Sequence, residues 1–302
     1  MELENFKRKY NTCVLTFLYE ASLPFFNEFI HSLLKQTYAY FDLIIILDYG
    51  GLLNIDLFDL EYKTLIIKSQ STISKNREFG LNLVKKLNYD YVILCDSDDF
   101  MSNNRLEVVT DYLKSYDIVI NDLNLFGNKN IKNYLSHKLK NNEIITYSYI
   151  KDSNFLGFSN TAFSTKIYDN INFDDKLKIV DWYFFYKMLL EKNKTIFTNE
   201  AITFYRIWGP NLIGNDINKD KILSILNHKL KHFDLIRQKY PNLEEIKKYY
   251  DYYFKLDLLL KEKNNLSDYI IDYFIKRYKV IQNPFWLEEI IYDEKIANQI
   301  NG

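Results

Sequence analysis

The stretch Tyr91-Val92-Ile93-Leu94-Cys95-Asp96-Ser97-Asp98-Asp99 places three carboxylates directly after a short apolar run. The apolar residues predict a buried strand, and the acidic residues predict the turn that follows it. Three carboxylates within four residues repel one another unless a cation lies among them, and hard divalent cations prefer oxygen ligands. The turn is therefore a candidate metal site that could bridge the oxygens of a diphosphate, or it only ends the strand and leads into the next helix.

Short apolar runs alternate with helix-period segments on both sides of this turn. The predicted strands cover residues 12–17, 43–47, 64–67, 91–95 and 117–120, and the predicted helices cover residues 22–35, 77–87 and 104–114. Ser22 is the expected N-cap of the first helix, and Arg77 opens the second. This order predicts a mainly parallel sheet covered by helices, in which ligands bind beyond the carboxyl ends of the strands. The polar residues at those ends are Tyr19, Glu20, Asp48 and Asp96 to Asp99.

The chain changes character after about residue 215. Residues 124–177 are irregular, with short strands predicted at 144–147 and 161–164, and a helix at 181–191 and a strand at 201–205 follow. Beyond them, residues 219–238, 243–261 and 267–280 predict helices rich in Lys and Tyr. We therefore expect an α/β domain over residues 1–215 and a helical C-terminal region over residues 216–302.

Charge and cysteine usage narrow the class of partner and the compartment. The 39 Lys and Arg residues nearly cancel the 40 Asp and Glu residues, so no field favours nucleic acid and none is expected as a partner. Cys13 and Cys95 lie in apolar runs, which predicts free buried thiols in a reducing compartment. Residues 1–10 are charged and lack the apolar segment of a signal peptide, and no apolar run reaches the ~18 residues of a membrane span. We expect a cytoplasmic protein, which could also lie on the inner face of the membrane.

Several single residues allow a functional and a structural interpretation. Asp48 could accept a hydrogen bond from a base or a ribose, and Arg77 could reach a base or a phosphate. Taken alone, a turn-forming Asp48 and a solvated Arg77 are favoured. Asp181 opens a helix beside bulky aromatic residues, and general base and N-cap are equally good interpretations. His228 and His232 share one helix face and could bind a metal, although a solvated face is favoured.

Taken in chain order, these motifs resemble the inverting family 2 glycosyltransferases, which have the GT-A fold. The resemblance covers residues 10 to 215 and rests on eight segments. These are Val14–Glu20, Leu33–Tyr38, Phe41–Asp48, Arg77–Gly80, Asp96–Asp99, Phe155–Ser159, Val180–Trp182 and Phe204–Arg206. The first four resemble, in turn, the family's first strand with its Tyr-Asn turn, the Leu-x-Gln-Thr helix end, the second strand with its uracil-reading carboxylate, and the Arg-Asn-x-Gly motif. The last four resemble, in turn, the Asp-x-Asp-Asp motif, the segment beside the transferred sugar, the Glu-Asp base motif and a Tyr-Arg element.

The chain departs from the family pattern at positions that concern the metal. Glu20 and Glu78 stand where the family often has Asn, and Tyr49 stands where a second Asp is usual. Trp208 stands where many members have a histidine that can approach the metal. These departures imply fewer protein ligands for the ion, and they leave its third ligand undefined.

The resemblance implies an enzyme of the hexosyltransferase type that uses a nucleotide-diphosphate sugar, with UDP the expected nucleotide. The residues that it implies for donor binding are Thr16, Tyr19, Asp48, Arg77, Asp96, Gly157 and Arg206. Tyr19 would flank the base, Asp48 would accept from the uracil N3–H, and Asp98 with Asp99 would ligate Mn²⁺ or Mg²⁺. Asp181 would take the proton of the acceptor hydroxyl in a single displacement that inverts the anomeric carbon.

The sequence leaves open the identity of the acceptor and the role of the C-terminal region. The family favours a glycan or lipid-linked glycan acceptor in surface glycan or polysaccharide synthesis. The helices after residue 215 could recognise the acceptor, form a homodimer or rest on a membrane, but ordinary packed amphipathic helices are favoured. Two alternatives stand beside the transferase. A nucleotidyltransferase is disfavoured because residues 11–25 contain no glycine, and a degenerate glycan-binding or scaffold domain is disfavoured by the presence of Asp98 and Asp181.

Overall fold

The computed structural model describes residues 6–48, 64–69, 71–151, 153–208, 217–262, 264–280 and 287–301. The strands are β1 Thr12–Tyr19, β2 Phe41–Asp48, β3 Thr64–Lys68, β4 Tyr91–Leu94, β5 Phe100–Met101, β6 Ile118–Gly127, β7 Ile144–Ile145, β8 Thr161–Ser164 and β9 Thr195–Ile207. The helices are α1 Phe26–Leu34, α2 Ile73–Lys86, α3 Arg105–Tyr112, α4 Val180–Leu190, α5 Lys219–Lys239, α6 Glu244–Lys261, α7 Asn265–Val280 and α8 Glu294–Asn301.

The strands form one sheet in the order β3-β2-β1-β4-β8-β6-β9-β5, with β7 paired to β9. β1, β2, β3 and β4 are parallel. α1 and α2 return the chain to the same end of the sheet between β1 and β2 and between β3 and β4. β8 is antiparallel to both β4 and β6, and β9 is parallel to β6. Six of the described strands therefore point the same way, which confirms the predicted mainly parallel sheet covered by helices.

The apolar residues of one sheet face build the core beneath α1 and α3. Side chains alternate along a strand, so Val14 and Leu18 of β1 point to this face, and both are buried with Phe26 and Phe29 of α1. Phe17 and Tyr19 consequently point to the opposite face. This alternation decides which residues of β1 can reach a ligand.

Two helix starts differ from the predictions. Residues Glu20–Phe25 form a 3-10 helix, so α1 begins at Phe26 and Ser22 does not cap it. The buried Ser22 hydroxyl instead donates to the Tyr19 carbonyl at 2.7 Å. α2 begins at Ile73, where Thr72 accepts a hydrogen bond from a backbone N–H of the first turn. Ile73 is the one apolar residue of the first turn of α2 and is exposed, so this turn carries no apolar stripe and the periodicity missed it.

The chain divides into two compact units. The first comprises Met1–Tyr147, Leu156–Lys176 and Met188–Ile207, and it contains the sheet. The second comprises Ser148–Phe155, Leu177–Lys187 and Trp208–Gly302, and it contains α5 to α8. The predicted domain boundary between residues 215 and 216 lies outside the described residues. In the described part of the chain, no helix has the length and apolar character needed to cross a membrane.

The helices of the second unit follow the predicted bounds to within a few residues, with α8 as an addition. α5 buries Ile225, Leu226, Phe233 and Ile236, as expected for an amphipathic helix that packs on its neighbours. It also buries His232 completely, so the prediction of a solvated face is wrong for His232, whereas His228 is partly exposed. The apolar stripe of α5 is wide enough to include His232, which stacks on an aromatic ring.

Candidate active site

The carboxyl ends of β1, β2 and β4 bring the predicted polar residues to one edge of the sheet. Tyr19 and Asp48 are register partners at the last position of β1 and β2. Leu94, the last residue of β4, is followed after one residue by Asp96, and the Asp99 N–H closes the turn on the Asp96 carbonyl at 3.1 Å. The parallel register thus explains why residues distant in sequence converge here.

Arg77 is the central cation of this edge. Its Nη2 lies 2.8 Å from Asp96 Oδ1, and its guanidinium carbon lies 3.9 Å from the Phe17 ring centroid and 4.9 Å from that of Phe158. Burial raises the pKa of the Asp48 carboxyl, and the charge of Arg77 opposes that rise. Arg77 Nη1 is buried and has no hydrogen-bond partner among the described residues. Arg77 is therefore a fixed donor with one unused nitrogen, and the interpretation as a solvated surface arginine is wrong.

The Arg77–Gly80 spacing has a direct physical cause. The two residues are three apart on α2 and therefore share a helix face. A Cβ at Gly80 would lie 2.8 Å from both Cε1 and Cζ of Phe17. Gly80 thus makes room for the Phe17 ring against which Arg77 stacks. One turn of α2 therefore supplies both the guanidinium and the space for the ring.

Tyr19 points into the acidic turn. Its hydroxyl donates to Asp98 Oδ2 at 2.9 Å, and Asp98 is buried. Burial raises the pKa of Tyr19, and the charges of Asp98 and Asp96 raise it further. The phenol consequently stays protonated and remains a donor to Asp98.

Asp99 is the most enclosed carboxylate of the turn. It accepts hydrogen bonds from the Arg206 backbone N–H at 2.7 Å and from the Ser159 hydroxyl. Burial and the neighbouring charge of Asp98 hold the pKa of Asp99 well above its ordinary value. The Ser159 oxygen also accepts from the Asp96 N–H at 3.1 Å. Ser159 was not predicted as a site residue, and its signal was its position at the end of the Phe155–Ser159 segment.

Arg206 holds the other side of the turn. Pairing of β5 with β9 places Phe100 opposite Phe204, which brings Arg206 beside the acidic residues. Its Nε donates to the Asp98 carbonyl at 2.9 Å, and its guanidinium carbon lies 4.2 Å from the Phe25 ring centroid and 4.4 Å from that of Phe126. The contacts of Arg206 are those of a residue that fixes the shape of the turn.

The remaining predicted residues, Thr16, Gly157 and Asp181, have contacts other than those of this cluster. Thr16 is fully buried on the sheet face opposite Phe17, and its hydroxyl has no hydrogen-bond partner among the described residues. Gly157 lies in the loop before Ser159, where its N–H donates to Asn160 Oδ1 at 2.9 Å. Asp181 lies in the first turn of α4, in the second unit, and its Oδ1 accepts from the Trp182 N–H at 2.9 Å. Tyr49 lies outside the described residues.

The acidic turn is stabilised largely by protein groups. Arg77, Tyr19, Ser159 and the Arg206 backbone N–H donate to the three carboxylates. The Arg206 guanidinium donates to the Asp98 carbonyl. Within the described ranges, no group of three or more His, Cys, Asp or Glu side chains could hold a metal ion. Magnesium-type sites commonly use one or two carboxylates and take their remaining ligands from water and substrate phosphates. Asp98 with Asp96 or Asp99 fits that second kind of site.

Comparison with known proteins establishes the family. The family model described as "Glycosyl transferase family 2" matches residues 13–171, which is more than half of the 302 residues. The chain therefore belongs to glycosyl transferase family 2, as the motif order predicted. A comparison with curated protein sequences gave no significant match.

Solved structures support the GT-A fold. A structure of S. aureus TarS superposes with a TM-score of 0.54 at 17% identity, covering 92% of this chain and 55% of that chain. TarS 1-349 gives a TM-score of 0.56 at 14% identity, covering 96% and 91%. TarS 1-349 in complex with UDP-GlcNAc gives 0.55 at 12% identity, with the same coverage. The chain thus spans about half of the first TarS chain, and at these identities the likeness shows the fold alone.

Proposed function

We propose that the protein is an inverting glycosyltransferase that moves a sugar from a UDP-sugar to an acceptor hydroxyl in surface glycan or polysaccharide synthesis. The observation that carries the proposal is Arg77 at the carboxyl edge of the sheet. Its guanidinium contacts the Phe17 and Phe158 rings, which stack on each other, is paired with Asp96, and keeps one unused buried nitrogen. A fixed, partly unsatisfied guanidinium is suited to an anionic or acceptor-rich ligand such as a nucleoside diphosphate.

The donor nucleotide would lie along this edge. Asp48 would accept from the uracil N3–H, Arg77 would donate to the base or a phosphate, and Asp96 would contact the ribose or the sugar. Tyr19 would flank the base while its hydroxyl remains with Asp98. That TarS 1-349 was solved with UDP and with UDP-GlcNAc supports a uridine nucleotide for a chain of the same fold.

Asp98, with Asp99 behind it, would hold Mn²⁺ or Mg²⁺ together with oxygens of the donor diphosphate. When bound, the cation supplies Lewis-acid stabilisation of the negative charge on the leaving diphosphate. The protein's own part is to keep Asp98 oriented, through Tyr19 and through the Arg206 contact to its carbonyl. Asp99 would support the site from the interior, where it receives two hydrogen bonds.

Asp181 would act as the general base. The acceptor oxygen attacks the anomeric carbon as the bond from that carbon to the diphosphate oxygen breaks, and the acceptor proton passes to the Asp181 carboxylate. Attack from the face opposite the leaving group inverts the anomeric configuration, and no covalent intermediate is required. The catalytic domain would cover residues 1–215, and the helical region 216–302 would serve the acceptor, a glycan or lipid-linked glycan.

A second candidate is a degenerate domain of the same fold that binds a glycan or acts as a scaffold. The observation that favours it is the lack of a three-ligand metal group in the part of the chain that the structure describes, together with Trp208 at the usual histidine position. Turnover of any nucleotide sugar would exclude this candidate.

Thermal shifts with UDP, GDP, CMP and dTDP, each with and without Mn²⁺, test the proposal. A ligand that binds only the folded protein stabilises it by about 2.7 kcal/mol at a hundredfold excess over its dissociation constant. We expect a shift with UDP that grows with Mn²⁺ and is lost in Arg77→Met, which keeps an apolar stem but removes the guanidinium. If no nucleotide gave a shift, the degenerate domain would become the leading interpretation.

A further inference from the structure

The interior of the second unit contains two basic side chains of α5. Lys229 and His232 are both fully buried, and they lie three residues apart on the same helix face. The His232 ring stacks on the Trp182 indole with a centroid distance of 4.0 Å and an interplanar angle of 15°. Neither ring nitrogen of His232 has a hydrogen-bond partner among the described residues. The contribution of His232 is therefore its flat ring.

Trp182 is fixed from several directions. Its Nε1 donates to the Ile150 carbonyl at 2.7 Å, which anchors the edge of the indole. Lys229 Nζ lies 5.6 Å from the Trp182 ring centroid and donates to the Tyr253 hydroxyl of α6 at 2.9 Å. Phe233 packs against Trp182 at a steep angle. With one indole face against His232, little freedom remains for Trp182 to move.

Trp182 is the residue after the proposed base. Its backbone N–H donates to Asp181 Oδ1 at 2.9 Å, so the orientation of the carboxylate follows the backbone of Trp182. Residues Leu177–Lys187, which include both, belong to the same compact unit as α5. Displacement of a catalytic group by about 1 Å can lower a rate by about a hundredfold. Any loss of the His232–Trp182 stack would be transmitted to Asp181 over one residue.

The environment keeps the His232 ring neutral. Burial and the charge of Lys229 hold the pKa of His232 well below its ordinary value. The other ionisable groups that face it are the phenols of Tyr183 and Tyr186 on α4, whose rings lie edge-on to the imidazole. Among the described residues, no carboxylate accepts a hydrogen bond from either ring nitrogen of His232, so a second buried cation beside Lys229 would be uncompensated.

We propose that His232 is a positioning residue for Asp181, acting through the stacked Trp182. The helical C-terminal region then takes part in catalysis by holding the start of α4, in addition to any contact with the acceptor. This inference rests on the proposed function, because it needs Asp181 to be the base.

Steady-state kinetics on three His232 variants test the inference. His232→Ala removes the ring, His232→Leu keeps apolar volume without a flat ring, and His232→Phe keeps a ring that can stack. We expect kcat to fall by about 10- to 100-fold in the first two and to be restored in His232→Phe, with the donor KM unchanged throughout. His228→Ala is the matched control, because it removes the same side chain one turn earlier on α5, where the ring is partly exposed.

A structural measurement accompanies the kinetics. The chain has three tryptophans, Trp182, Trp208 and Trp286, so the Trp208→Phe, Trp286→Phe double variant leaves Trp182 as the only indole emitter. We expect its emission to change with His232→Leu and not with His228→Ala.

The possible outcomes separate the two proposals. Wild-type kcat in His232→Leu, or an equal rise in donor KM and fall in kcat, would overturn the positioning role while leaving the proposed function intact. A wild-type protein that turns over no nucleotide sugar would overturn the proposed function and this inference with it. If His232→Ala does not fold, the comparison of His232→Leu with His232→Phe still decides.

Discussion

Two arginines flank the acidic turn in the same manner but with different consequences. Arg77 and Arg206 each contact two phenylalanine rings and each form one ion pair, with Asp96 and Glu28 respectively. Cation–π contacts of this kind contribute about 0.5 to 2 kcal/mol each. They also restrict the arginine side chain before a ligand binds, which lowers the entropy cost of binding. Arg77 Nη1 has no partner in the described chain, whereas Arg206 is committed to the backbone and Asp99 side of the turn.

The first prediction at the scale of a residue concerns Asp98. We expect Asp98→Ala to bind UDP with the same affinity in the presence and absence of Mn²⁺, because the proposed oxygen ligand is gone. Isothermal titration of UDP with and without Mn²⁺ measures this. Asp111→Ala is the control, since that exposed carboxylate on α3 lies outside the site. A Mn²⁺ enhancement that survives in Asp98→Ala would contradict the ligand role.

Asp181 carries the second prediction. Asp181→Asn keeps the size of the side chain and its ability to accept from the Trp182 N–H, but an amide cannot take the acceptor proton. We expect transfer to fall by about 10²- to 10⁴-fold while UDP affinity stays the same. Initial rates with a radiolabelled donor, alongside nucleotide titration, measure both. Near wild-type transfer by Asp181→Asn would show that another group is the base.

At the scale of an element, α2 packs closely against β1 at Gly80, where the absence of a side chain leaves room for Phe17. We expect Gly80→Ala to displace the Phe17 ring, because the added Cβ would stand 2.8 Å from two of its atoms. Overpacking costs about 1–3 kcal/mol, and the higher helix propensity of Ala returns about 1 kcal/mol, so the net change in unfolding free energy is small and destabilising. The larger effect is on Arg77, which stacks on that ring, and we expect UDP affinity to fall by about tenfold.

Denaturant unfolding and UDP titration of Gly80→Ala measure the two effects separately. Lys86→Ala is the matched control, because Lys86 is exposed on the same helix. A stable variant with unchanged UDP affinity would show that the Phe17 ring does not position Arg77.

The elements that could be predicted from sequence are those decided by local pattern. Buried parallel strands are short, continuous apolar runs, so Phe41–Asp48 and Tyr91–Leu94 were recognisable with their following acidic residues. Apolar periodicity also predicted the helices of the C-terminal region. The register of β1 and β2, which the structure supplies, then places Tyr19 opposite Asp48.

The features that could not be predicted depend on contacts between distant residues. Thr16 and Tyr19 both lie on β1, and only the packing of α1 decides which strand face is the core. The role of Ser159 as the group between Asp96 and Asp99 requires β8 to lie beside β4. The sequence indicates a polar surface position for His232 on α5, because nothing in the local pattern shows that the Trp182 ring stacks on it.

At the scale of the whole molecule, most of the described phenylalanines are buried, whereas most of the described tyrosines are partly buried or exposed. The chain has 26 tyrosines and 22 phenylalanines, and many of their rings pack against one another in both units. In the second unit, Phe233 stacks on Tyr249 and Tyr253 of α6, beside the His232–Trp182 pair. That unit therefore combines an aromatic core with two buried basic groups, and its stability should depend on pH.

The final prediction concerns this pH dependence. Burial and Lys229 lower the pKa of His232 in the folded protein, so between that value and the ordinary value of about 6.5 the unfolded chain binds a proton that the folded chain does not. His232 therefore does not penalise folding above about pH 6.5, and stability is lost as the pH falls below it. One such group contributes a slope of at most about 1.4 kcal/mol per pH unit.

Urea unfolding followed by Trp182 emission in the Trp208→Phe, Trp286→Phe background measures this slope between pH 7.5 and 5. We expect His232→Phe to lose less stability over this range than the protein with His232, because the phenylalanine ring stacks without binding a proton. Carboxylates elsewhere titrate in both proteins and cancel in the difference. Equal slopes of unfolding free energy against pH in the two proteins would mean that His232 takes up a proton in the folded state as readily as in the unfolded state. The inference that the stacked ring is neutral would then be wrong.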